Sequence, residues 1–160
     1  MRALVLGAET PAGRALAAAL AAAGARIALI ASTGDAETAF AVQRLARRLG
    51  ALSQAIDATN EMAVRVMTRQ VSKALGGLDA LFFCADVGAG TPQALALACR
   101  FAAREMAPDR SRGGAIVVAS AAATPTSEGL PDGIRLLAVD APAAPNDAWA
   151  RDLIARLACP

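Results

Sequence analysis

The 160 residues are 56 % hydrophobic and 19 % charged with a net charge of +2, which excludes a disordered chain and is too mild a balance to argue for a nucleic-acid partner. Aromatic residues are only 3 %, so the core must be packed mainly by Ala, Leu, Val and Ile. Cys84, Cys99 and Cys159 stand far apart and histidine is absent, which argues against a metal site and for reduced thiols in a cytoplasmic protein.

Short β-branched runs alternate with amphipathic stretches, the rhythm of a parallel α/β sheet. The first strand is expected at residues 3–6. Thr10 then caps a helix that has Pro11 at its first position, carries Leu16 and Leu20 on one face and stops at Gly24. The apolar run before Glu9 is too short for a signal-peptide core, and Gly24 and Arg26 break the Ala-rich stretch after Arg14, so no membrane segment is expected. A second strand is expected at residues 26–31. Asp35 opens the next helix, which buries Val42, Leu45, Ala46 and Leu49, shows Arg44, Arg47 and Arg48 to solvent and ends at Gly50.

The third strand is expected at residues 52–56, followed by a helix with Val64, Met67, Val71 and Leu75 inward and Gly76-Gly77 as its stop. Residues 78–84 are nearly continuously apolar, as a strand buried on both faces should be. Thr91-Pro92 opens a fourth helix that ends before Pro108, and strands five and six are expected at 115–118 and 134–139. Asn146 caps a last helix with Trp149, Leu153 and Leu157 on one stripe. Residues 121–133 hold Pro125, Pro131, Gly129 and Gly133, which leaves no room for a crossover helix between strands five and six. The reading is a single Rossmann-like domain over residues 1–160: a doubly wound, mostly parallel six-stranded α/β sheet with that helix missing. The direction of strand six is open.

The first strand runs into Gly7-Ala8-Glu9-Thr10-Pro11-Ala12-Gly13 and then a helix. Such a turn lets backbone approach a pyrophosphate that sits on the helix N-terminus. In this loop the chain resembles the short-chain dehydrogenase/reductase family. Gly7 and Gly13 match the outer glycines of its glycine-rich motif, while Pro11, or Thr10 under a divergent spacing, replaces the middle one. Further matches follow in order: Gly24 to Ile30 at strand two, Asp57-Ala58-Thr59 after strand three, Leu78 to Leu81 at strand four, Gly113 to Ser120 at strand five and Ile134 to Val139 at strand six. The resemblance implies bound NAD or NADP, with Gly7, Glu9, Thr10, Gly13, Ser32, Asp57 and Ala85 at the cofactor. Asp57 is either an adenine contact or the cap of the third helix.

The departures fall where the family's function resides. The family's Asn-Asn-Ala-Gly reads Phe83-Cys84-Ala85-Asp86, which puts a carboxylate at the cleft. Its Tyr-x-x-x-Lys pair is missing: the chain has no tyrosine, and its one lysine is Lys73, in the third helix. The position of the family's catalytic serine holds Ala121, one residue after Ser120. Ser120 reads as a ligand contact or a strand-end cap, and Cys84 as a buried inert thiol against a reactive one. Glu9 and Asp86 could pair as carboxylates, but no His or Tyr is present to share their proton chemistry. Cofactor preference has no signature either, because Ala31 stands where an NAD enzyme puts an acid, and Ser32 and Thr33 follow in place of a basic residue.

The expected function is therefore a catalytically inactive relative with weak or lost dinucleotide binding, acting as a nucleotide-sensing or partner-binding subunit. An oxidoreductase with an atypical site is the alternative. The partner, a second copy or another protein, is expected on apolar surface bared by the missing helix, at Leu95, Leu97 and Phe101 or at the sheet edge.

Overall fold

A computed structural model describes residues 1–107 and 113–158; Pro108 and Cys159 lie outside them. Its elements are β1 (Arg2–Leu6), α1 (Pro11–Ala22), β2 (Arg26–Ala31), α2 (Ala36–Leu49), β3 (Leu52–Ala55), α3 (Glu61–Leu75), β4 (Ala80–Phe83), α4 (Thr91–Met106), β5 (Gly114–Val118), β6 (Ile134–Ala138) and α5 (Asp147–Ala158). The strands form one sheet in the order β3-β2-β1-β4-β5-β6, every neighbouring pair parallel. This is the doubly wound Rossmann order, whose reversal point lies between β1 and β4. Strand six therefore runs with the rest.

Local chemistry sets the helix ends. Thr10 Oγ1 accepts from the Gly13 N–H at 3.0 Å, Asp35 from Thr38 at 2.9 Å and Asn146 from Trp149 at 3.0 Å, as N-caps should. The cap of α3 is Asn60, which accepts from the Ala63 N–H at 3.0 Å. The capping role open to Asp57 is thereby corrected: Asp57 stands three residues too early and closes a turn with Thr59 instead.

Two apolar layers sandwich the sheet. On one face Leu16 and Leu20 of α1, Val42 and Leu45 of α2 and Leu153 and Leu157 of α5 pack on Val5, Leu29, Phe82 and Val117. On the other, Val64, Met67 and Val71 of α3 and Leu95, Phe101 and Met106 of α4 pack on Leu4, Ile30, Leu81, Phe83 and Ile116. The stripe of α5 is turned by one residue from the expected one: Ala150 is buried with Leu153 and Leu157, and Trp149 is half-buried.

No helix joins β5 to β6; residues 119–133 cross as turns and extended chain. The expected exposure of α4 is overturned, because Leu95, Leu97 and Phe101 are 4 %, 8 % and 5 % exposed. The face of α4 turned to the sheet takes these side chains, and Ala123 and Leu130 of the connecting segment pack on the same cluster.

Candidate functional site

The parallel sheet brings the C-terminal ends of β1, β2, β3 and β4 to one edge, and the residues singled out in the sequence gather there. Gly7 follows β1 at φ 88°, and a Cβ on it would stand 2.3 Å from the Ala85 nitrogen. A Cβ on Gly13 would stand 2.2 Å from the Gly7 oxygen. Both glycines are thus required by contacts within the chain, the first between loop and β4, the second between helix and loop.

The loop uses most of its own donors. The Gly7 and Ala8 N–H groups donate to the Ile30 oxygen at 2.9 and 3.2 Å, and the Thr10 N–H donates to the Gly7 oxygen at 3.1 Å. Thr10 Oγ1 donates to the same oxygen at 2.8 Å. In the first turn of α1, Pro11 has no N–H, Gly13 donates to Thr10 Oγ1 and Arg14 to the Thr10 oxygen. The Ala12 N–H is the first-turn donor left for a ligand. A full helix N-terminus offers several such groups to a diphosphate; this one is impoverished by the same Thr10-Pro11 pair that starts the helix so cleanly.

Ser32 is 1 % exposed at the end of β2. Both of its donors are turned to Glu9: the N–H lies 3.2 and 3.3 Å from the two carboxylate oxygens, and Oγ donates to Oε1. Arg14 donates to the Glu9 carbonyl, fixing the loop from the helix side. The sequence places Glu9 and Ser32 in separate loops, and only the β1–β2 pairing makes them neighbours. The carboxylate pair considered for Glu9 and Asp86 does not form: each carboxylate is committed elsewhere, Glu9 to Ser32 and Asp86 Oδ1 to the Gly88 N–H at 3.1 Å.

Behind Ser32, its carbonyl accepts from Ala58 at 3.1 Å, which brings the turn after β3 to the site. The exposed Asp57 carboxylate accepts from Thr59 Oγ1 at 2.6 Å and from the Thr59 N–H at 2.9 Å. These bonds, the side-chain one foremost, hold its carboxyl below the ordinary 3.8.

Past the reversal point, a cleft of about 510 Å³ lies elsewhere on the molecule, between α4 and residues 124–131, but the one of about 490 Å³ at the sheet edge is where this fold binds ligands. Thr10, Pro11, Cys84, Asp86 and Ser120 line it, and Ala141, Pro142, Ala143 and Pro145, where Ala141-Pro142 stands in place of the Pro-Gly that follows strand six in the family it resembles, form its far wall. Pro142 and Pro145 are the signal that could have marked that wall. Ser120 Oγ donates to the Ala85 carbonyl at 3.0 Å, tying β5 to β4. Burial pushes the Cys84 thiol up to about 12, with the Glu9 charge adding to it, so Cys84 is a protonated, inert thiol at neutral pH. Lys73 is exposed near the C-terminal end of α3, whose Gly76 carbonyl accepts from Arg2 at the start of β1. That is the opposite edge of the sheet.

Beside this cleft, at the ends of β2 and β3, stand the Glu9 carboxylate with both Ser32 donors turned to it and the Asp57 turn, which leaves carboxylate lone pairs and not free donors for a ligand at that end. The diphosphate position keeps one first-turn helix N–H, that of Ala12. Among the described residues no group of side chains could hold a metal ion, and no helix is long and apolar enough to cross a membrane.

Comparison with known proteins agrees with this geometry. Residues 1–96 match the family model of the short chain dehydrogenases. A short-chain type dehydrogenase/reductase from Mycobacterium marinum superposes with a TM-score of 0.64 at 28 % identity, over 74 % of this chain and 54 % of its own. A short chain dehydrogenase from Burkholderia cenocepacia J2315, solved in complex with NADP, gives a TM-score of 0.57 at 33 % identity, again over 74 % of this chain and 54 % of its own. The chain therefore spans about half the length of these solved relatives. No curated protein matches it.

Proposed function

The chain belongs to the short-chain dehydrogenase family, and from that premise we propose that it holds an adenine dinucleotide weakly and does not turn it over, serving as a nucleotide-sensing or partner-binding subunit. The observation that carries this reading is the connection from β5 to β6. Residues 119–133 run through the place of the missing crossover helix with neither a tyrosine nor a lysine among them.

A bound nicotinamide supplies or accepts a hydride; the substrate oxygen then needs a proton partner. Of the groups at the cleft, Ser120 Oγ–H is engaged by the Ala85 carbonyl and the Cys84 thiol holds its proton up to about 12. Asp86 is an exposed carboxylate whose Oδ1 accepts from the Gly88 N–H of its own turn. Gly7, Glu9, Thr10, Gly13, Ser32, Asp57 and Ala85 would face the nucleotide, and their work is to bind and orient it.

The purified chain is expected to bind NADH or NADPH saturably, read from Trp149 fluorescence, and to consume neither with a panel of ketones and aldehydes. Turnover that belongs to the chain and not to a contaminant would establish the alternative, an oxidoreductase with an atypical site.

The partner-binding part of the proposal draws on a surface other than α4. Phe40 of α2, Leu52 of β3 and Met62 and Val66 of α3 are 65 %, 43 %, 62 % and 44 % exposed. They flank β3, the edge strand, from both faces of the sheet, and an unpaired edge beside apolar side chains suits association. Light scattering at micromolar concentration should show a dimer or larger species, and Phe40→Glu should shift it to monomer. A strictly monomeric wild type would remove self-association from the proposal.

A further inference from the structure

We infer that Glu9 makes the nucleotide site selective for a ribose that carries no 2′-phosphate. The inference rests on the nucleotide-binding reading above and goes further, to which dinucleotide the site takes. Dinucleotide folds of this kind read the adenosine ribose at the end of the second strand, by an acid that accepts the ribose hydroxyls or by a cation that meets the 2′-phosphate. Here that strand ends in Ala31 and Ser32 and supplies neither.

The structure fills the gap from another element. Glu9, two residues beyond Gly7 in the β1–α1 loop, lays its carboxylate against the end of β2 and takes both donors of the buried Ser32. Those donors, an N–H and an O–H, are what a phosphate would seek there. With Glu9 on them, an incoming 2′-phosphate meets a fixed negative charge in place of two donors.

The remaining lone pairs of the same carboxylate can accept a ribose hydroxyl. Other charges nearby do not reverse the sign. The Arg14 guanidinium donates to the Glu9 carbonyl, not to its carboxylate, and Asp57 at the next strand end is a second anion. The acidic group that the sequence lacks after strand two is thus delivered by the phosphate loop.

The test is a fluorescence titration of the wild type, Glu9→Gln and Glu9→Ser with NADH and NADPH, repeated by calorimetry with adenosine 5′-monophosphate and adenosine 2′,5′-bisphosphate to confine it to the adenosine end. The wild type should hold NADH at least about tenfold more tightly than NADPH, a difference of about 1.4 kcal/mol. Glu9→Gln should narrow that ratio, and Glu9→Ser, which bares the Ser32 donors, should abolish or reverse it through a gain in NADPH affinity. Equal affinities in the wild type, or an unchanged ratio in Glu9→Ser, overturn the inference and leave the nucleotide reading standing. If neither dinucleotide binds any of the three proteins at millimolar concentration, both fail together.

Discussion

Gly7→Ala should be the most damaging single-methyl change in this protein, lowering stability by roughly 4 kcal/mol and the melting temperature by roughly 10 °C. Two costs combine at this position. The backbone sits at φ 88°, which an L side chain adopts only at a penalty, and the new Cβ would stand 2.3 Å from the Ala85 nitrogen and 2.5 Å from its Cα. Neither neighbour is a flexible side chain, so either the β1–α1 loop or the end of β4 must move.

Two other glycines separate these costs. Gly24 has φ 74°, and a methyl group there would meet nothing within 4 Å, so Gly24→Ala isolates the backbone penalty, about 1 kcal/mol. Gly13 has an ordinary helical backbone, but its Cβ would lie 2.2 Å from the Gly7 oxygen, so Gly13→Ala isolates the collision, about 2 kcal/mol. Urea melts of the three variants should rank Gly7 worst, then Gly13, then Gly24. A Gly7→Ala variant no weaker than Gly24→Ala would mean that Ala85 gives way freely, and the close packing of loop on β4 would lose its significance.

Asp79→Asn is expected to cost about 2 kcal/mol at neutral pH. Asp79 precedes β4 and binds Arg2 of β1 at 2.5 Å, with further contacts to the Arg2 N–H at 2.7 Å and Nε at 3.1 Å. The pair is 18 % and 20 % exposed, between the surface case, where such pairs add little, and the buried one, where losing a partner costs several kcal/mol. Arg2 also donates to the Gly76 carbonyl, so the cluster fastens β1, β4 and the end of α3 together.

Burial raises the Asp79 carboxyl, but the Arg2 hydrogen bonds and charge outweigh it, and the net effect is a value below the ordinary 3.8. The sign follows from linkage: the contribution is complete above the unfolded value and is lost as pH falls through the lower folded one. The gap in melting temperature between wild type and Asp79→Asn should therefore be widest near neutrality and close progressively below pH 3.8. Asp35 and Asp57, whose carboxyls are also held low by their turns, leave some acid sensitivity in the variant. A gap that does not change with pH would show that the asparagine disturbs packing and not the ion pair.

Much of the fold could be read from the chain because its signals are local. Thr10-Pro11, Asp35 and Asn146 each start a helix by a hydrogen bond within three residues. The prolines and glycines of 121–133 forbid the crossover helix by backbone geometry alone. What could not be read depends on neighbours distant in sequence. Asp57 and Asn60 are both good caps, and the choice of Asn60 depends on where α3 can lie against the sheet. The contact between Glu9 and Ser32 spans 23 residues and exists because β1 and β2 pair in register.

The exposure expected for Leu95 and Phe101 failed for a related reason. Periodicity gives the apolar face of α4, but not that the sheet and the connecting segment between them leave it no solvent. The half of the site formed by Gly7 and Gly13 was legible as a motif. Part of its depletion of donors was legible too, in the Thr10 cap and the missing N–H of Pro11, whereas the engagement of the Gly7 and Ala8 N–H groups by the Ile30 carbonyl was not, since it depends on the pairing of β1 with β2.

The bare connection between β5 and β6 also makes the molecule lopsided. Every residue of β5 is buried, whereas Ile134, Leu136 and Leu137 of β6 are half-buried and Arg135 and Ala138 are exposed. Where a helix would have laid a third stratum over this corner, a thread of polar backbone does duty, anchored by little more than Ala123 and Leu130. Cooperative structure dissolves first where it is thinnest, so the sheet should open from its two thinly covered outer strands, β6 and β3, with the buried β1, β2 and β4 the last to go.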